Sequence, residues 1–568
     1  MPTLQISIDD FKRHRDSGAY LVDKSRLIRE VLDGSHALLL PRPRRFGKTM
    51  NLSMLRHFFE LSDEETGYLF DDLAIAGDRE AMAHQGQYPT VFLTLKDVQG
   101  ADWETARAGI VQELSGLYRD FDYLADGLRP EERESYEAIC HRKADAATLQ
   151  RSLRDLVTYL YRHHDQPVVV LIDEYDSPVI EAYDGGYYEP MIDFMRAWLG
   201  GGLKHPQGQA VFRAVVTGVL RVARESIFSG LNNLKVHSLL SLGAFADKFG
   251  FTEAEVERVM SDFGLSNRME EVRDWYNGYV FGDTVMYNPW SVLNYIDDQP
   301  ESARPKWLNT SANTLVHQEL KTGGLELKRD LENLLAGQDL RYPISENILF
   351  TEISGNRQNV WSFLTFSGYL RAEDPKRDPI TDSLTYRLSI PNREVREVYK
   401  SFVRNWHEEL QFRETDELLR ALVGEDYEEF ERLLGQLVRG IFSCHDVDRF
   451  PEAAYHAFVL GLLANLRAIY EVRSNAESGY GRADIILCPR TEQYPVGYVI
   501  EFKSITADEE VEPQLEAAFE QIGRREYITQ LQEAGVAQSD IRRVAVVVAG
   551  KRVAVRCRQG IGTSHSGR

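Results

Sequence analysis

Residues 36–59 read HALLLPRPRRFGKTMNLSMLRHFF. An apolar run from Ala37 to Pro41 gives way to a short basic loop, and the loop to apolar residues at helical spacing. Strand, tight turn and amphipathic helix, in that order, are the setting in which a GKT triplet reads as a phosphate-binding loop. Backbone N–H groups at a helix N-terminus point at an anion, and the helix dipole favours negative charge there. Lys48 is then expected to reach the β- and γ-phosphates of ATP. Thr49 is expected to offer its hydroxyl to Mg²⁺, a hard cation that takes oxygen ligands. Arg42 stands where the usual GxxxxGK[ST] pattern has its first glycine, so Gly47 alone supplies conformational freedom, and Pro43 restricts the loop. Arg42, Arg44 and Arg45 are expected to add positive charge to the nucleotide. Phe46, Gly47 and Met50 complete the nucleotide-contacting run. On the GKT triplet alone, a basic strand-to-helix turn remains the competing reading.

A second stretch, PVVVLIDEYDSP at 167–178, favours the nucleotide reading. It is an apolar strand ending in adjacent acids, and such strands deliver carboxylates to the sheet edge where α/β folds bind ligands. Asp173 is expected to hold the Mg²⁺ shell and Glu174 to orient or deprotonate the attacking water. A third strand, FRAVVTG at 212–218, ends in Thr217, a candidate sensor of the γ-phosphate. Arg221 and Arg224 follow, and either can neutralise charge in the transition state or sit solvated on a helix.

Outward from these motifs, the apolar runs HALLLP, TVFLTL, PVVVLID and FRAVVTG alternate with helical stretches, the pattern of a parallel sheet covered on both faces. The chain of 568 residues exceeds one hydrophobic core. Changes of pattern divide it into 1–250, a P-loop domain; 251–393, a mostly helical lid or linker; and 394–568, a second α/β unit. The middle block begins FTEAEVERVMSDFG, where Thr252 and Glu255 form a capping-box signature. Its aromatic pieces WYNGYVFG, YNPWSVLNYI and WSFLTFSGYL read as packing between helices. A net charge of −22 excludes indiscriminate coating of DNA, because phosphate contacts then need local basic patches. Four scattered cysteines exclude a disulfide framework and a close-spaced zinc site. The N-terminus lacks a secretory pattern and no apolar run reaches membrane-spanning length, so a cytoplasmic protein without membrane contact is expected.

Toward the C-terminus, SGYGRADIILC and GYVIEFKS place Asp484 on one strand and Glu501 with Lys503 on the next. Residues two apart on a strand share a face, so Glu501 and Lys503 fall at one site. Two carboxylates can hold Mg²⁺ or Mn²⁺ against a phosphate while a lysine steadies the hydroxide. The preceding EAAYHAFVLGLLANL offers Glu452 and His456, the latter a metal ligand or a buried helix histidine. Gln514 and Gln521 are weaker candidates for backbone contact. An EFK triplet on a strand also arises without any catalytic role.

YLVDKSRLIREVL (20–32), RPRRFGKTMNLSML (42–55) and VVVLIDEYDSPV (168–179) together resemble the AAA-ATPase-like family of prokaryotic proteins, whose members commonly carry a C-terminal PD-(D/E)XK nuclease-superfamily domain. The likeness runs from about Ile6 to Gly550. Arginine at the first loop position belongs to that family's own variant. The resemblance implies that Asp23 and Lys24 lie near the nucleotide. It also implies that Asp484, Glu501 and Lys503 are the core of a nuclease-like site in which Ala483 replaces the usual proline, with His456 the closer match on the preceding helix. The implied protein is an ATPase coupling nucleotide state to a metal-dependent nuclease-like domain in DNA processing or defence. The alternative is a non-nucleolytic switch whose C-terminal domain binds nucleic acid or protein without cutting. Homo-oligomers are compatible with either.

Overall fold

In the computed structural model, five runs rich in Val, Leu and Ile pair side by side in parallel. They are β1 (Ala37–Pro41), β2 (Thr90–Thr94), β3 (Val168–Asp173), β4 (Val211–Gly218) and β5 (Leu234–Val236), in the order β2-β3-β4-β1-β5. Every residue of β1 and β3 is buried, which is why both read as unbroken apolar runs and not as alternating ones. The structure describes residues 2–6, 8–62, 64–204, 209–221, 227–228, 231, 234–298, 303–306, 325–348, 353, 356–379, 382–408, 412–441, 459–463, 466–467, 469–474, 485–505, 509–523, 527–549 and 552–559.

Register decides what shares an edge. Leu40 lies beside Thr217 and Pro41 beside Gly218, while Thr94 lies beside Asp173. The carboxyl ends of β1, β3 and β4 therefore open on one edge of the sheet, the edge where open α/β folds place ligands. The helix Lys48–Phe59 starts from that edge and returns over the sheet. Its Leu52, Leu55, Phe58 and Phe59 pack against Leu38, Leu40, Val169 and Leu171.

Beyond residue 250 the helix Glu253–Asp262 starts at the expected capping box: Thr252 Oγ1 accepts from the Glu255 amide at 3.4 Å, and Glu255 Oε2 accepts from the Thr252 amide at 2.7 Å. The region is mostly helical, with two small antiparallel sheets that its aromatic-rich sequence conceals. One joins β6 (Phe251–Thr252), β7 (Tyr279–Phe281) and β8 (Thr284–Tyr287). The other joins β9 (Leu340–Pro343), β10 (Arg371–Arg377) and β11 (Leu384–Ser389). Tyr276, Tyr279, Phe281, Tyr287, Tyr295 and Trp361 are buried here, so these six aromatics are core.

The chain forms two compact units, where the pattern suggested three blocks. One is Met1–Thr322 with Asp339–Val398; the other is Gly323–Gln338 with Tyr399–Arg568. Most of the middle region joins the first unit because it grips the phosphate loop directly: Phe46 is fully buried, its ring 5.0 Å from Tyr279 and 5.1 Å from Phe281.

The second unit is built on β12 (Tyr470–Ser474), β13 (Ile485–Pro489), β14 (Gly497–Ile505), β15 (Ile541–Ala549) and β16 (Arg552–Gln559), in that order across the sheet. Only β14 and β15 run parallel. Alternation sorts the side chains onto two faces. Ile500, Phe502, Val544 and Val546 pack with Leu418, Leu422, Leu433 and Leu437 of the helices Phe412–Val423 and Tyr427–Ile441. Val499, Ala545 and Val547 pack with Leu515, Phe519 and Ile522 of the helix Val511–Gly523. From the other side of the chain, Leu335 of the helix Leu325–Leu335 accepts a hydrogen bond from Arg467. Among the described residues no helix is long and apolar enough to cross a membrane.

Candidate functional site

β1 hands the chain to its loop while still paired: the Arg42 amide donates to Gly218 O at 2.9 Å. The loop closes at Gly47, whose φ of 80° is left-handed. A Cβ there meets nothing within 4 Å, so glycine is required for the backbone conformation and not for space. Lys48 opens the helix, buried, with Nζ donating to Arg42 O at 3.2 Å and Pro43 O at 3.1 Å. The next residue reaches across the sheet edge. Thr49 Oγ1 donates to Asp173 Oδ2 at 2.6 Å, and Thr217 Oγ1 donates to Asp173 Oδ1 at 2.5 Å.

Asp173 is 1% exposed. Burial raises its pKa, while the hydroxyls of Thr217 and Thr49 and the charge of Lys48 pull the other way. Two hydroxyl oxygens around one carboxylate are hard donors of the kind Mg²⁺ takes. Glu174 follows with a left-handed φ of 51°, its amide donating to Asp173 Oδ1 at 3.0 Å and its Oε2 accepting from Ser177 Oγ at 3.0 Å. That unusual backbone turns Glu174 away from the strand direction, and its side chain lines a cavity of about 720 Å³ that the phosphate loop also lines. Arg44, Arg45, Gly47, Lys48, Thr49 and Met50 share that wall, as do Asp23 and Lys24. The volume is that of a small-molecule pocket.

In the second unit, Glu501 and Lys503 project from β14 on the face of Val499, with Lys503 Nζ 3.4 Å from Glu501 Oε1. Glu501 is 1% exposed, whereas the Lys503 side chain is 18% exposed. β14 lies between β13, where Ile485 pairs with Ile500, and β15, where Glu501 lies beside Ala545 and Lys503 beside Val547. Asp484, His456 and Glu452 lie outside the described residues, as does Arg224. Gln514 and Gln521 both stand on the helix covering this face. Among the described residues no three His, Cys, Asp or Glu side chains gather as a metal site.

Comparison with known proteins finds one family match within each unit. Residues 5–228 match the family described as "Predicted AAA-ATPase", and residues 450–557 match the PD-(D/E)XK nuclease superfamily. The chain carries an AAA-ATPase-like domain and a PD-(D/E)XK domain. It is also 27% identical over 401 residues to the "Uncharacterized protein in vnfD 5'region" of Azotobacter chroococcum mcd 1, covering 69% of this chain and 68% of that protein.

Within the AAA-ATPase-like domain, two arginines do not stand where their sequence positions suggested. Arg42 is 1% exposed. Its guanidinium donates to Pro41 O and His237 O at 2.7 Å and to Phe245 O at 3.0 Å, between the rings of Phe249 and Phe281. With its guanidinium held by three carbonyls, it braces the loop from behind and is absent from the cavity wall. Arg221 pairs with Glu346 at 3.1 Å, which Ser238 Oγ also holds, and is absent from the cavity wall. Phe46 also lines the cavity, and its ring is anchored against Tyr279 and Phe281.

Asp176 was not singled out by the motif reading. It is buried, with Oδ2 accepting from the Val219 amide at 2.9 Å and the Leu220 amide at 2.7 Å, so it locks the turn after β3 to the turn after β4. Burial pushes its carboxyl up to about 6. The third acid of DEYD was the available signal, but it reads as a turn residue until the turn after β4 is known to lie beside it.

Proposed function

We propose that the AAA-ATPase-like domain binds ATP with Mg²⁺ and hydrolyses it, and that its nucleotide state governs a metal-dependent, nuclease-like PD-(D/E)XK domain acting on DNA in the cytoplasm, in DNA processing or defence. The observation that carries the reading is the contact of Thr49 Oγ1 with Asp173 Oδ2, two groups 124 residues apart brought together at the mouth of the phosphate loop. Amides at the start of the helix Lys48–Phe59 face the phosphates, and the Lys48 ammonium neutralises charge on them. Thr49 and Asp173 would hold Mg²⁺, which supplies charge neutralisation at the transferring phosphate. Glu174 orients the attacking water from the cavity wall, and Thr217 keeps the Asp173 carboxylate aimed.

In the PD-(D/E)XK domain, Glu501 and Asp484 would hold a divalent ion, which would supply charge neutralisation at a phosphate, and Lys503 would steady the developing charge. Phosphate release and plasmid cleavage, measured together with Mg²⁺ and with Mn²⁺, test both halves. Cleavage that stops in Lys503→Ala while the fold persists supports the nuclease reading. Intact DNA under every condition, with phosphate release undiminished, removes it. The net charge of −22 favours the second reading in that event, a switch that binds without cutting, because backbone contacts are harder to arrange on an acidic surface.

A further inference from the structure

Arg45 is the second residue of the phosphate loop with a left-handed backbone, φ 66°, and unlike Gly47 it carries a side chain. A non-glycine residue holds that conformation only where its surroundings impose it. Here the surroundings are visible. The Arg45 guanidinium carbon lies 3.9 Å from the centroid of the Trp290 ring, a close cation–π stack. Burial lowers the Arg45 pKa and the charge of Glu394 opposes that shift. Trp290 is not a passing neighbour. It stands in the first turn of the helix Pro289–Asp297, where Asn288 Oδ1 accepts from its amide at 3.0 Å and its indole Nε1 donates to Lys306 O at 3.4 Å. Ser291, the next residue, donates to Glu394 Oε2 at 2.7 Å. Arg45 and Trp290 line the same cavity as Lys48, Thr49 and Glu174.

A guanidinium on that wall has two partners to choose between. It can stay over the indole, or turn to an anionic oxygen in the cavity. A charge-assisted, bidentate hydrogen bond to phosphate exceeds a half-exposed cation–π contact. A triphosphate presents more charge to the wall than a diphosphate does. We propose that Arg45 is a phosphate-counting switch: it leaves Trp290 for the terminal phosphate of ATP, returns when ADP remains, and thereby transmits nucleotide state to the segment 251–298 through the helix Pro289–Asp297. The inference rests on the nucleotide reading of this cavity and deepens it. Phe46 stays fixed between Tyr279 and Phe281, and its carbonyl keeps the Gly250 amide at 3.1 Å, so Arg45 moves on an anchored loop.

The experiment uses the full chain. Binding of ADP and of a non-hydrolysable ATP analogue is measured by calorimetry, and tryptophan emission is recorded in the same samples. Subtracting the response of Trp290→Phe isolates the indole in question. The expected result is a Trp290-dependent emission change with the analogue and little with ADP, lost in Arg45→Ala. Arg45→Ala should also lower the preference for the analogue over ADP by about tenfold. Trp290→Leu should tighten analogue binding by about threefold to tenfold, because the stack no longer competes for the guanidinium. That gain should vanish when Arg45→Ala is already present. Equal emission changes with ADP and the analogue, or a Trp290→Leu effect of the same size with and without Arg45, overturn the switch while leaving nucleotide binding intact. Failure of either nucleotide to bind overturns the nucleotide reading itself and the switch with it.

Discussion

In the AAA-ATPase-like domain, Asp173 meets Thr49 from 124 residues away and Thr217 from 44 residues away, whereas in the PD-(D/E)XK domain Glu501 meets Lys503 from two residues along one strand. The first arrangement exists only after β1, β3 and β4 have taken their places in the sheet, so each support behind it is a point of failure. The second is written into the pleat of β14, and what the fold adds is burial of the carboxylate. A site assembled from distant strands should therefore respond to substitutions at its braces, and a site on one strand should respond chiefly to its own side chains.

The largest effect that tests this contrast is expected from Lys48→Ala. Phosphate release should fall by about a thousandfold while the thermal transition stays in place, since a preorganised charge donor is lost. Lys503→Ala should leave phosphate release unchanged, and a matching fall there would mean the two sites are not separate devices. Next comes Glu174→Gln, expected to lower turnover by about a hundredfold with nucleotide affinity retained; undiminished turnover would take the water-orienting role away from Glu174.

The braces come after the chemistry. The Asp176 carboxyl stands at about 6 in the folded chain against an ordinary 3.8. The folded state thus binds the proton more tightly than the unfolded one, and this group's contribution to stability declines as pH rises from about 4 to about 6, then stays level. Asp176→Asn should remove that decline, on the order of 3 kcal/mol across the window, in denaturation curves collected at a series of pH values. An unchanged slope would show that burial does not raise the Asp176 carboxyl.

Gly218→Ala should cost about 1–3 kcal/mol, because a Cβ there falls 2.3 Å from Asp176 Oδ1 and 2.8 Å from the Tyr175 ring. The smallest change is expected from Gly47→Ala, about 1 kcal/mol from the left-handed backbone alone. If the two glycines proved equally costly, crowding between the turns after β3 and β4 would not be what holds this edge together.

How much of this was legible in the sequence follows the same division. β1, β3 and β4 announced themselves as apolar runs, and the acids at the end of β3 were readable because strand ends deliver side chains to an edge. Glu501 and Lys503 were readable because a period of two needs no tertiary information. What stayed hidden depended on contacts across long separations. Arg42 looked like part of the phosphate cradle because it is basic and adjacent; its real partners, the carbonyls of His237 and Phe245, lie about two hundred positions later. Thr217 was read as a strand-end hydroxyl and candidate γ-phosphate sensor, and its hold on Asp173 required the register of β4 beside β1 and β3. The short strand β5 and the edge strand β16, RVAVRCRQ, escaped for a different reason: three residues carry too little pattern, and arginines on an edge strand dilute the apolar alternation.

The backbone passes between the two compact units three times, after residues 322, 338 and 398. No single scission of the gene can therefore deliver both halves whole. A fragment beginning at Tyr399 leaves behind the helix Leu325–Leu335, with Leu327, Leu331 and Leu334 that are buried in the intact chain. On the ribosome, that helix emerges before most of its own unit has been synthesised and must wait for it. Deletion variants meant to isolate either unit will need an internal graft or a permuted order of segments, and protease nicks between the units should leave pieces that remain associated.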